Sequence, residues 1–451
     1  MKSKIYLLGL IMLFFISCKK DDPIKVTTND YCAAVDTVTG IMVHDIFSPP
    51  VASRIYVYPN VAAYEIMAQN NAKYQSLQGQ LNGLDSIPKL DPKSGVNKNL
   101  AALIAHIEVS KQLIFSEEAL EKYRDSLYEK WGSENQKEFE VSKEYALKVV
   151  ERIKLWMGKD NYKQTRTFPK YSVHASQAGR WQPTPPAYMD GVEPHWGKIR
   201  TLVMDSAGQF KPKAPHPFST DKNSAFYKEA KETYDVGNMI SKKLIVMEEN
   251  KSTVIPEESA IATFWDCNPY ATVTQGHMMF AKKKNTPDAH WINIAKIALK
   301  KTNADFETTV FAYTKTSIGV FESIISCWNE KYKTNVVRPE TYINQNIDEN
   351  WKPQLQTPPF PEYTSGHSVI SSCSSIILTT IFGDNFSYID DSEVYFGLPK
   401  RPFKSFKQAA AEASISRLYG GIHYRAAIEN GVEQGNNIGN HITNKLKMLK
   451  K

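Results

Sequence analysis

PPFPEYTSGHSVISSCSSIIL, residues 358–378, is the stretch from which this chain is read. Behind Ser365-Gly366-His367 the apolar residues fall at Val369, Cys373, Ile376, Ile377 and Ile381, the three-to-four spacing of a helix with one buried face. The helix is predicted to start at about Ser365. A helix start leaves its first backbone N–H groups unpaired and carries partial positive charge, and Gly366 lets an anion come close to that backbone. Taken alone, Ser-Gly before a helix is an ordinary cap. Its meaning depends on the company it keeps.

Downstream, Ser405 with Gln408 caps a small-residue helix (Ala409, Ala410, Ala411, Ala413) that delivers Ser416-Arg417-Leu418-Tyr419-Gly420-Gly421-Ile422-His423. On one continuous helix Arg417 and His423 would stand roughly 240° apart. They can serve one pocket only if Gly420-Gly421 breaks the helix between them. Upstream, a helix over 306–328 ends in Trp328-Asn329-Glu330-Lys331, with Trp328 and Lys331 on one face. Arg338 precedes Pro339, which forces it into an extended conformation and aims it away from a helical direction. Singly, Lys331 reads as a solvated helix end, Arg338 as a surface ion pair, and His367 or His423 as an ordinary histidine.

The rest of the chain is helical text. Val61 to Met67 reads as a helix after the turn Ser48-Pro49-Pro50, and another spans 100–115. An amphipathic helix carries Leu120, Tyr123, Leu127 and Trp131; Gly132 closes it, and Ser133 with Gln136 opens the next, which runs to Gly158. Two helices joined so tightly must lie antiparallel. Residues 159–220 are Pro-rich but hold Trp181, Tyr188, Trp196 and Phe210, so a packed excursion is expected rather than a flexible linker. Helices resume near 225, over 270–281 and over 291–299, and Gln275-Gly276-His277 is the one further histidine setting of interest. With no alternating strand pattern of any length and no internal repeat, the fold is predicted to be all-α, two helical-bundle halves (41–300 and 301–451) with long Pro-rich loops.

The chain has 451 residues, 42% hydrophobic and 23% charged, enough for a substantial core. Lys2 and Lys4, the apolar run 5–16 and Ser17-Cys18 form a signal too short to be a lasting membrane span, similar to a bacterial lipoprotein signal in which Cys18 is acylated. Residues 1–17 are then the signal and 18–40 a polar tether, whose Lys19-Lys20-Asp21-Asp22 resembles a surface-export run; the mature protein is expected in the bacterial cell envelope, held by lipid. A formal net charge of +7, without Lys/Arg tracts, gives no case for nucleic acid. Cys32, Cys267, Cys327 and Cys373 form no C-x-x-C pair, so neither a zinc site nor a disulfide framework is expected.

Three cations, an anion-binding helix start and two histidines, in the order K-x6-R-P, S-G-H and S-R-x5-H, form a joint pattern over 306–431. It resembles the type 2 phosphatidic acid phosphatase and vanadium-dependent haloperoxidase superfamily. The resemblance implies that Lys331, Arg338, Ser365, Gly366 and Arg417 hold the oxygens of vanadate or phosphate, that His423 bonds the central atom, and that His367 is the acid–base, with Lys331 polarising the bound oxidant. Guanidinium forks suit tetrahedral oxyanions, and a deprotonated imidazole nitrogen can bind vanadium or attack phosphorus.

Two branches of that superfamily differ in chemistry. Trp328 and Pro358-Pro359-Phe360-Pro361 look like the halide side of vanadium haloperoxidases of the bacterial iodoperoxidase type, with Tyr270 a neighbouring candidate. The long N-terminal region points the same way. Where the superfamily often has Asp four residues after the last His, this chain has Ala427; lacking that orienting carboxylate counts against a histidine nucleophile and leaves the orientation of His423 without an explanation. Thr364 stands where the motif usually has Pro. The resemblance thus implies a vanadate cofactor, hydrogen peroxide as oxidant and iodide, with bromide next, as substrate. An acid phosphatase working through a phosphohistidine on the same residues is the alternative, and a non-enzymatic surface lipoprotein the third reading.

Overall fold

A computed structural model of the chain describes residues 22–174, 176–251, 254–270 and 284–450. The signal segment with Cys18, and all but the first residue of the helix predicted over 270–281, including His277, lie outside them.

In the first half, the helices are α1 (Thr28–His44), α2 (Pro49–Ala68), α3 (Lys98–Lys111), α4 (Glu117–Met157), the single turn α5 (Tyr162–Thr165), α6 (Ala225–Glu249), α7 (Glu257–Phe264) and α8 (Pro287–Lys301). The second half holds α9 (Phe306–Thr334), α10 (Pro339–Asn346), α11 (Gly366–Phe382), α12 (Phe406–Tyr419) and α13 (Arg425–Lys445). Among the described residues the only sheet is an antiparallel pair, β1 (Tyr388–Asp390) with β2 (Arg401–Phe403). The fold is all-α, as predicted, and the division expected at 300/301 falls at the last residue of α8. One hydrophobic core nevertheless runs through both halves, because α2, buried along its whole length, packs on α9.

Three expectations are corrected. Residues 28–40 are not tether: Thr27 and Asp30 form a capping box, and Tyr31, Ala34, Val35 and Val38 of α1 enter the core at helical spacing. Pro49 and Pro50 do not precede α2 but open it, since proline at the first positions gives up an N–H that has no partner there anyway. In α4 the break comes at Asn135 (φ −156°, ψ 91°), not Gly132-Ser133, and the Asn135 carboxamide accepts from the Glu138 N–H at 3.0 Å. The chain does fold back there: Lys143 Nζ stands 5.3 Å from the Tyr128 ring, which a straight stretch of that length, about 22 Å, would forbid.

α11 is the element everything else surrounds. Ser365 caps it, its hydroxyl accepting from the Ser368 N–H at 3.3 Å. More than one face is buried: every residue from Ser368 to Ser375 is inside, because α9, α12 and α13 all pack on it. Small residues allow this. A methyl at Gly435 would clash with the Val369 carbonyl oxygen, and methyls at Gly431 and Gly439, one turn either side, would crowd Ser368 and Cys373 at 2.9 and 3.0 Å. α13 therefore lies backbone to backbone along α11, and the loop before it, with His423, is pinned beside the α11 start.

The Pro-rich excursion is packed, as expected, and its anchors face the motifs. Trp181 and Trp196 are fully buried, Phe210 partly, whereas Tyr188 stays 63% exposed. The Trp181 N–H donates to the Asn335 carbonyl, the Val337 N–H to Gly179, and the Val192 N–H to Pro359. Farther along, the Glu322 carboxylate accepts from the N–H groups of Leu202, Val203 and Met204. The excursion straps the loop between α9 and α10.

Candidate active site

The α9 helix continues past Trp328 to Thr334 and is stopped by Asn335 in the left-handed region. Lys331, on its last turn, is no solvated helix end; it is fully buried, and Nζ donates to the carbonyls of Pro361, Glu362 and Thr364. Burial lowers its pKa to about 8. Arg338 is extended (φ −75°, ψ 151°), as its proline dictates, and equally buried. Its Nε donates to Phe360 O at 2.8 Å and Nη1 to Ile422 O at 2.8 Å, while Nη2 is buried with no hydrogen-bond partner. Burial brings this guanidinium down to about 10.

The predicted helix break is present. α12 ends at Tyr419, Gly421 takes φ +74°, and the chain turns so that Arg417 and His423 line one pocket together with Gly366 and His367. Trp328, Phe360 and Tyr270 form the apolar side of that pocket, the Trp328 and Phe360 rings 4.9 Å apart. Lys331 and Arg338 flank the Phe360 ring, with Nζ at 5.1 Å and Cζ at 5.0 Å from its centre. Ser365 is buried behind Gly366, and its N–H donates to the carbonyl of Ala427, the residue that replaces the looked-for Asp. All of the motif residues are thus gathered at the α11 start.

The orienting carboxylate missing from the C-terminal motif comes from elsewhere. Glu362 Oε1 lies 2.8 Å from His423 Nδ1 and accepts the Tyr424 N–H at 3.0 Å. On the other side His423 Nε2 faces Arg338 Nη1 at 3.2 Å. A guanidinium only donates, so Nε2 carries the lone pair and Nδ1 the hydrogen given to Glu362. Burial, then Arg338, Lys331 and Arg417, hold the His423 pKa well below the usual imidazole range. Burial lifts Glu362 to about 8, against the pull of Arg338 and Lys331. The argument against a histidine nucleophile drawn from Ala427 therefore falls.

A second residue out of reach of the sequence is Trp265, the C-cap of α7. Its carbonyl accepts from Arg417 Nη2 at 2.7 Å, and His367 hydrogen-bonds the same backbone. His367 Nε2 is left buried and without a partner, and burial and Arg417 keep the ring neutral. Glu362 had one signal, as the only acid in residues 358–378; Trp265 had none.

The site therefore presents an unpaired buried guanidinium nitrogen, a neutral histidine nitrogen and surplus positive charge, a donor set that fits a tetrahedral oxyanion. The crystal structure of the first bacterial vanadium-dependent iodoperoxidase superimposes with a TM-score of 0.90 at 59% identity, covering 96% of this chain and 100% of that one. The chain belongs to the vanadium-dependent haloperoxidase family. Holo and apo structures of a bacterial vanadium-dependent chloroperoxidase, 16% and 15% identical, share the fold of this haloperoxidase with TM-scores of 0.62, over 89% and 88% of this chain and 93% and 94% of theirs. The family model of the VCPO second helical-bundle domain matches residues 311–451. No curated protein sequence matches the chain. Vanadate is the cofactor of the family, and hydrogen peroxide and a halide are its substrates.

Proposed function

We propose that this haloperoxidase oxidises iodide in preference to bromide, on vanadate held by Lys331, Arg338, Ser365, Gly366 and Arg417 through its oxygens and by His423 through Nε2. The observation that carries this is the His423 arrangement, a neutral imidazole whose lone pair faces a buried guanidinium while Glu362 takes its other hydrogen. When bound, the cofactor supplies an electrophilic centre at which peroxide becomes reactive toward a halide. His367 accepts and returns a proton at Nε2, because its other nitrogen is occupied by the Trp265 backbone. Lys331 and Arg338 balance charge on the oxidant side, and in a buried pocket each such contact counts for more than in water. Trp328, Phe360 and Tyr270 offer a large polarisable surface that suits a soft anion, and the 59% identical relative is an iodoperoxidase.

Assaying the purified protein with orthovanadate, hydrogen peroxide and iodide, bromide or a phosphate monoester tests this. Vanadate-dependent iodide oxidation above bromide oxidation is expected. Ester hydrolysis without vanadate-dependent iodide oxidation would instead establish the phosphohistidine reading, for which Glu362 provides the orienting carboxylate. We also propose that acylated Cys18 anchors the protein to the cell envelope; Cys18→Ser should move it from the membrane fraction to the soluble one. No described helix is long and apolar enough to cross a membrane.

A further inference from the structure

Behind the anion pocket lies a second buried cluster of opposite character. Cys267, His290 and Glu393 are all buried, and their Sγ, Nδ1 and carboxylate oxygen lie within 4.8 Å of one another. We propose that these three side chains bind a divalent metal, Zn(II) by their chemistry, in a site separate from the one that holds vanadate.

The distances carry the argument. Cys267 Sγ is 3.6 Å from His290 Nδ1, and Nδ1 is 3.4 Å from Glu393 Oε1. A tetrahedral zinc, with bonds of about 2.3 Å to sulfur and about 2.0–2.1 Å to nitrogen or oxygen, sets ligand edges of about 3.6 Å and about 3.4 Å. As a hydrogen bond the nitrogen–oxygen contact is too long, and Glu393 Oε1 is a buried atom with no hydrogen-bond partner. The remaining nitrogen is arranged as a metal ligand's would be. His290 Nε2 lies 2.9 Å from Asp390 Oδ2, and Asp390 Oδ1 accepts from the Ser392 N–H at 3.0 Å and its hydroxyl at 2.6 Å. Asp390 is fixed as a carboxylate, takes the Nε2 hydrogen and leaves the Nδ1 lone pair for an ion. Thiolate, imidazole and carboxylate together select zinc over magnesium or calcium, and three protein ligands leave the fourth position to a water.

Charge and access agree. Two buried carboxylates surround one imidazole, while Lys284, whose charge bears on Glu393, is paired with Asp266. Cys267 also lines the anion pocket, which provides an entry path. The site would have a use in place: the His290 ring stacks on the Trp265 indole at 4.4 Å, and the Trp265 carbonyl holds Arg417. Zinc here would stiffen the segment that aims a vanadate-site arginine.

Metal analysis of the full-length enzyme, purified without chelator and then dialysed against trace zinc, tests the site directly. One zinc per chain is expected in the wild type and equally in His423→Ala, so the outcome does not depend on vanadate binding. Cobalt exchanged into the wild type should show a thiolate-to-cobalt charge-transfer band, and Cys267→Ser should lose it. Asp390→Asn should weaken zinc binding about 10–100-fold. If folded wild-type protein takes up neither zinc nor cobalt, or takes up cobalt with no thiolate band, the proposal fails and His290 is a protonated link between two carboxylates.

Discussion

His423 and His290 are built alike and surrounded oppositely. Each is a buried imidazole with one nitrogen on a carboxylate, Glu362 for His423 at 2.8 Å and Asp390 for His290 at 2.9 Å. Around His423 stand Arg338, Lys331 and Arg417, which add to burial in holding its pKa down. Around His290 the carboxylates Asp390 and Glu393 overcome burial and raise it. The lesson is electrostatic: a carboxylate partner orients each ring, and the next ring of charges decides whether the other nitrogen keeps its lone pair, as in His423, or holds a proton that only a bound cation would displace, as in His290.

That contrast can be broken in four ways. Removing the imidazole, in His423→Ala, should abolish vanadate binding and lower kcat/KM for halide by at least about 10³-fold, about 4 kcal/mol, with little change in melting temperature; equilibrium dialysis and iodide oxidation check it. Next is Glu362→Gln, which keeps the size of the side chain but can never become a carboxylate, and should weaken vanadate about 10–100-fold. Unchanged vanadate affinity in that variant would show that His423 needs no carboxylate.

The scaffold shared by the two histidines gives a third test. Gly435→Ala pushes a methyl into the Val369 carbonyl and should cost about 1–3 kcal/mol in a denaturant titration; a neutral result would mean that α13 can slide from α11 without loss. The smallest effect is a pH dependence. Lys331 titrates at about 8, lowered by burial, so its charge is present below that pH and lost above it. Vanadate affinity should therefore fall as pH rises, about twofold by pH 8 and about tenfold by pH 9. Lys331→Arg stays charged throughout and should lack this step, which separates the lysine from Glu362, raised to about 8 as well, and from any titration of the ligand itself.

Much of the anion site was legible because its residues sit at local punctuation. Ser365-Gly366 starts a helix, Pro339 extends Arg338, and Gly420-Gly421 ends α12; each rule acts over a few residues and each is obeyed. The α1 helix is less legible: Tyr31, Ala34, Val35 and Val38 carry the right period, but the charged residues before it make the whole segment look like polar tether. The burial of Lys331 could not be read, since it comes from the 159–220 excursion and the 358–364 loop closing over a helix end. Glu362 was in view but without a role, as its partner lies 61 positions away.

By itself, then, the sequence determined where α11 and α12 begin, that Arg338 is extended and that α12 breaks before His423, because caps, prolines and glycines act on the backbone next to them. Only the tertiary structure decided that Glu362 orients His423, that Trp265 holds Arg417, and that Cys267, His290 and Glu393 meet at all. Those pairings depend on α13 lying against α11 and on separate loops converging at one helix start, and contacts between distant segments leave no periodicity in the chain.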